Sequence, residues 1–166
     1  GKGFTQPGTI GIFTIKEVNF GNSTNKQTPY MELVLEDESS SFKEAFYLTA
    51  KALPKVQHMA LATGEKISGD VTEDALKARF VNKKAALKVF GSVNEEKGTV
   101  YASLGFGGFA KPVDKLSELS WSTKELADIE KFAAIVANSS SANADTETIP
   151  GQQSLPGTGG SENDDF

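Results

Sequence analysis

The chain has no cysteine, a single histidine, and no lysine or arginine after Lys131. Each absence removes a class of chemistry. Without thiols there is neither a disulfide framework nor a thiolate metal site, which fits a reducing compartment. His58 has no second histidine and no cysteine to join it in metal binding or nucleophilic catalysis, and is expected as a surface or cap residue. No stretch approaches the roughly 18 consecutive apolar residues of a membrane span. The opening GKGFTQPG lacks the apolar centre of a signal peptide, so a cytoplasmic protein is expected. GFGGF at 105–109 has neither the spacing nor the following helix of a phosphate loop and reads as a bulged or twisted strand. The acids Glu36, Asp37, Glu38, Glu95 and Glu96 fall at strand ends and turns, where solvated charge is the ordinary explanation. No enzyme activity, cofactor or metal is expected.

The missing bases also divide the chain. Residues 138–166 hold 5 acids and no Lys or Arg, so of 22 acids and 17 bases the preceding part keeps 17 of each. The body is neutral and the tail carries the whole net charge of −5. The tail, NSSSANADTETIPGQQSLPGTGGSENDDF, is Ser-, Gly-, Pro- and Thr-rich with one Ile, one Leu and no aromatic before Phe166. It cannot bury enough apolar surface to offset its ordering entropy, and disorder is expected from Asn138 on.

The body reads mainly as β. TIGIFTIKEVNF (9–20) is rich in β-branched residues and alternates imperfectly, as a long bent strand would. GNSTNKQTP follows as a long loop. YMELVLED (30–37) sets Met31, Leu33 and Leu35 against Tyr30, Glu32, Val34 and Glu36, and SFKEAFYLT (41–49) sets Phe42, Phe46 and Leu48 against Lys43, Ala45 and Tyr47. The period then becomes helical, with Leu53, Val56 and Met59 or Ala60 on one face, Pro54 in the first turn and Gly64 as the stop. A shorter helix over 72–80 begins with Thr72, Glu73 and Asp74. KAALKVFGSV (84–93) alternates Ala85, Leu87 and Val89 with Lys84, Ala86, Lys88 and Phe90, and TVYASLGFGGFA (99–110) completes the strands.

Three strands, a helix and two strands within about a hundred residues is the layout of the OB-fold, a five-stranded, partly open Greek-key barrel. The fold class expected is therefore mainly β: a five-stranded OB barrel with a helix between its third and fourth strands, an additional C-terminal helix, and a disordered acidic tail. The binding surface of such a barrel is its second and third strands with the flanking loops. Here that surface would present Tyr30, Lys43 and Tyr47, with Phe20 and Lys26 in the first loop. Lys84, Lys88, Phe90 and Tyr101 take outward positions on the last two strands, and Lys97 lies in their hairpin. Outward aromatics beside lysines suit single-stranded nucleic acid, because every base can stack on a ring while ammonium groups track the phosphates without reading sequence. Two other readings stand beside it: a protein-interaction adaptor without DNA binding, and an oligosaccharide- or nucleotide-binding barrel.

With its one barrel over residues 8–112, its acidic tail and its tip of Glu162, Asp164, Asp165 and Phe166, the sequence resembles phage-encoded single-stranded DNA-binding proteins. Bacterial relatives commonly have proline before the final Phe; Asp165 stands there, as in some phage versions. The resemblance implies protection of single-stranded DNA in replication, recombination and repair, and recruitment of partner proteins through the tip. A terminal Phe joins an apolar ring to an α-carboxylate, a plug for a pocket with a basic rim, and a disordered tether lets it search.

LSWSTKELADIEKFAAIVAN (119–138) reads as a helix with a Ser122–Glu125 capping box and a stripe of Leu126, Ile129, Phe132 or Ala133, and Val136, packed on the barrel or on a second copy. Trp121 reads as its packing anchor. The expected divisions are a barrel at 1–112, a helical extension at 113–137 and a tail at 138–166.

Overall fold

In the computed structural model, residues 2–69, 71–105 and 107–142 are described. They are mainly β. Seven strands, β1 (Gly3–Phe4), β2 (Thr9–Asn22), β3 (Pro29–Glu36), β4 (Ser40–Tyr47), β5 (Lys84–Asn94), β6 (Thr99–Ser103) and β7 (Ala110–Lys111), form one sheet. Helices α1 (Leu53–Thr63) and α2 (Glu73–Phe80) separate β4 from β5, and a 3-10 helix (Val113–Glu118) and α3 (Thr123–Ala142) follow β7. The strand order is β1-β4-β3-β2-β5-β6, with β7 also on β5. Two of the seven strands, β1 and β7, are two-residue pairings with no sequence signal of their own.

The imperfect alternation of β2 has a local cause. Its first part, Thr9–Thr14, pairs with β5; its second, Thr14–Asn22, pairs with β3; and the register shifts between Ile15 and Glu17. Lys16 is the extra residue of a β-bulge, which bends a strand and increases its twist. The bulge also resets the phase. Phe13 and Ile15 are buried before it, Lys16 and Glu17 are both exposed, and Val18 is buried after it.

The core gathers Phe13, Ile15, Val18, Met31, Leu33, Leu35, Phe42, Phe46, Leu87 and Val89 from the sheet with Val56, Met59, Leu76 and Phe80 from α1 and α2. Leu53, expected on the buried stripe of α1, is instead 37% exposed, since it opens the helix at its first turn. Thr72 caps α2 by accepting the Ala75 N–H at 3.1 Å.

The last strand is interrupted where one strand is expected over 99–110. β6 and β7 lie antiparallel to β5 along successive parts of its length, and the glycine-bearing segment between them leaves the ladder, turning at Gly108 with φ +64°. From that segment Phe109 returns to the core, its ring tilted against that of His58 with centroids 4.5 Å apart. His58 is thus not a surface or cap residue: it is half-buried, and its Nε2 accepts the Ala110 N–H at 3.2 Å. Burial, with the nearby Lys111 charge, holds its pKa below the usual histidine value.

Among the described residues no ladder joins β4 to β6, so the sheet does not close. The buried Glu44 carboxylate spans the gap, accepting the Leu104 N–H at 3.1 Å and the Lys55 ammonium at 2.6 Å. No helix among the described residues is long and apolar enough to cross a membrane.

Candidate nucleic-acid interface

The outer face of β2, β3 and β4 follows from register. Tyr47, Tyr30 and Gly21 are cross-strand neighbours, as are Ala45, Glu32 and Asn19, and then Lys43, Val34 and Glu17. Residues directly opposite share a face, so these nine form three parallel rows. The first row is aromatic. Tyr30 and Tyr47 meet edge to face with ring centroids 5.9 Å apart. Gly21 makes room for them, because a Cβ there would stand 2.9 Å from the Tyr30 hydroxyl. The second row is polar. Glu32 is half-buried, and burial raises its pKa against the opposing pull of Lys43 and of a hydrogen bond from Asn19. The Asn19 amide also donates to Glu17 Oε1 at 3.4 Å. The third row ends in Lys43, which is exposed.

The outer face of β5 is different because the chain comes back over it. Phe90 lies 5.9 Å from the Trp121 ring and 5.3 Å from the Phe132 ring. Lys88 sits over the Trp121 ring at 4.9 Å, donates to the Ser120 carbonyl at 2.9 Å, and pairs with Glu125 at 3.3 Å. Glu125 belongs to the capping box of α3: it accepts the Ser122 N–H at 2.9 Å, and the Ser122 hydroxyl accepts the Glu125 N–H at 3.1 Å. The Ser122 N–H and the Lys88 ammonium hold the Glu125 carboxyl below its ordinary pKa. The Trp121 indole N–H donates to the Gly8 carbonyl at 3.3 Å, and Ile129 packs against Gly8. Trp121 is therefore the packing anchor, and α3 packs on the sheet.

The expected binding residues thus fall into separate groups. Tyr30, Tyr47 and Lys43 come together on one open face. Phe90 and Lys88 share an outward face, as their alternation requires, yet both lie under the C-terminal segment. Tyr101 is half-buried on β6 opposite Ser92, and α3 packs against β6. Lys26 and Lys97 are exposed in their turns. Lys84 is exposed at the start of β5, beside Lys16, Thr14 and Ile12, in a shallow hollow that also includes Lys2 and Glu36. Phe20 is corrected. It lies in β2 rather than in a loop, is paired with Met31, and packs against the core, because the bulge moved its side of the strand inward. α3 continues to Ala142, beyond the expected boundary at Asn138. Glu162, Asp164, Asp165 and Phe166 lie outside the described residues.

Sequence reasoning missed Glu32 and Asn19 as members of this site, and Lys16 as the bulge residue that turns Asn19 to this face. The signal for Lys16 was the adjacent polar pair Lys16–Glu17 in an otherwise alternating strand, which marks a bulge. Among the described residues no group of three or more His, Asp or Glu is placed to hold a metal. Neither the models of known protein families nor the curated proteins match this chain.

Proposed function

We propose that the chain binds single-stranded DNA with little sequence preference through the outer face of β2, β3 and β4, protecting strands exposed in replication, recombination and repair. The observation that carries this reading is the Tyr30–Tyr47 pair, set on an open sheet face in the same surface as exposed Lys43. Two rings meeting edge to face offer stacking surface worth about 1–3 kcal/mol per base, and an ammonium four residues along β4, roughly 13 Å away at strand spacing, is within reach of the backbone of the same strand. The OB reading of the fold belongs to the same proposal. The order β4-β3-β2-β5-β6, with a bent first long strand shared between its two neighbours, is what a barrel of that type requires, and Glu44 stands where such a barrel would close. The acidic tip is proposed to recruit partner proteins in the host cytoplasm, on the strength of its chemistry and the phage-type resemblance.

Fluorescence anisotropy with a mixed-composition single strand at low salt tests the binding. Saturable binding is expected, weakening steeply with salt as counterions are released. An absence of binding at low salt removes the reading. For the tip, deletion of Phe166 should abolish capture of replication proteins from the cognate cell while DNA affinity stays unchanged; retained capture would leave the tail as a solubility device.

A further inference from the structure

The proposed DNA face contains a group that stacking and phosphate tracking do not use. Glu32 occupies the middle row, between the aromatic row of Tyr30 and Tyr47 and the row of Lys43. Its neighbour on β4 is Ala45, whose single methyl leaves room in front of the carboxyl, and its neighbour on β2 is Asn19, which hydrogen-bonds it. Successive same-face residues on a strand stand about 7 Å apart, so a base stacked on the tyrosines turns an edge toward the middle row. An acidic side chain half-buried beside a polyanion site is electrostatically unfavourable unless it receives a donor from the ligand.

Resting on the DNA-binding reading, we infer that Glu32 makes this face discriminate among bases, favouring those that present an exocyclic amino group over thymine. The chemistry is in the base edges. Cytosine N4 offers an amino donor to a carboxylate, as do adenine N6 and guanine N2. Thymine offers O4 and O2 acceptors on either side of its one N–H, and an ionised carboxylate is repelled by both. The preference is a bias within a general binder, because one contact among several is sensitive to base identity.

Cytosine and thymine are both pyrimidines with similar stacking faces, so oligo-dC against oligo-dT isolates the edge. In anisotropy titrations at low salt and mildly alkaline pH, where cytosine is unprotonated, the full chain should bind oligo-dC about fivefold or more tighter than oligo-dT. Glu32→Gln keeps the shape, and its amide donates to the thymine O4; it should bring the two affinities to within about twofold, chiefly by tightening oligo-dT. Glu32→Ala should also collapse the ratio, and thermal unfolding checks that both variants remain folded. Equal binding of the two strands by the unaltered protein, or an undiminished ratio in either folded variant, overturns the inference and leaves the DNA-binding reading standing. Binding of neither strand overturns both.

Discussion

On either side of β2 the sheet carries the same kind of outward sequence. β3 and β4 present Tyr30, Tyr47 and Lys43; β5 presents Phe90 and Lys88. In the first set Lys43 is exposed and the two tyrosines are half-buried against each other. The second is enclosed by Trp121, Phe132, Glu125 and the Ser120 carbonyl, so its aromatic serves as an anchor for α3 and its ammonium is already satisfied. An aromatic–lysine pair on an outward strand position is thus two different things, depending on whether a later segment returns to cover it. Alternation sets the face, and only tertiary packing sets the cover.

The sharpest test of that division is Phe90→Ala. It removes the ring against which Trp121 and Phe132 pack, and should lower unfolding free energy by about 2 kcal/mol in urea titrations while leaving single-strand affinity nearly unchanged. A folded variant that loses DNA affinity with no change in stability would break the comparison. The converse expectation holds for Tyr30→Ala and Tyr47→Ala, each of which should weaken single-strand binding by about 1 kcal/mol or more, roughly fivefold, with a smaller effect on the urea midpoint. Loss of stability without loss of binding would make these tyrosines packing residues.

Salt dependence separates the two lysines more finely. Lys43→Ala should reduce the slope of log affinity against log salt by about 0.7, the value for one lost phosphate contact on a single strand. Lys88→Ala should leave that slope unchanged, because its partners are within the protein.

The smallest expected effect is in the response to acid, where the two faces have opposite signs. Glu125 is held below its unfolded pKa by the Ser122 N–H and Lys88, so its contribution to stability is present above the ordinary carboxylate range and is lost as pH falls through its lowered value. Glu32 is raised by burial, so its contribution is present below that range and is lost as pH rises through its raised value. Carboxyl-resolved NMR titration should find the Glu125 midpoint below, and the Glu32 midpoint above, that of an unstructured glutamate. Midpoints in the reverse order would contradict both assignments.

Much of the fold was legible because short-range patterns decide it. Met31, Leu33 and Leu35 alternate without interruption and are all buried; Thr72 and Ser122 cap helices in the way their spacing requires. What escaped depends on events that alternation does not record. One inserted residue, Lys16, exchanged the inner and outer sides of the rest of β2 and sent Phe20 to the core face. Phe90 and Lys88 were placed on the correct side of β5, but their covering comes from residues some thirty or more positions later. His58 carried no pattern, because its partner is the main chain of a two-residue strand. Of the candidate surface, the residue types that stack and attract phosphate could be read from the sequence, whereas Glu32 could be placed only on the outward face of its strand until its cross-strand neighbours were known.

The Glu44 bridge has a kinetic consequence. A ladder resists separation with one bond after another, so it frays gradually from its ends, whereas among the described residues the hydrogen bonding between β4 and the end of β6 runs through one carboxylate, beside their shared core packing. Release of that group would free the Leu104 N–H while β2, β3 and β5 stay paired. Deuterium should therefore enter at Leu104 through a local opening, sooner than at the centre of β3, and Glu44→Gln should speed exchange at Leu104 far more than at Leu33. A strand of DNA lying across β3 and β4, as proposed, would rest on the sheet edge that this carboxylate fastens.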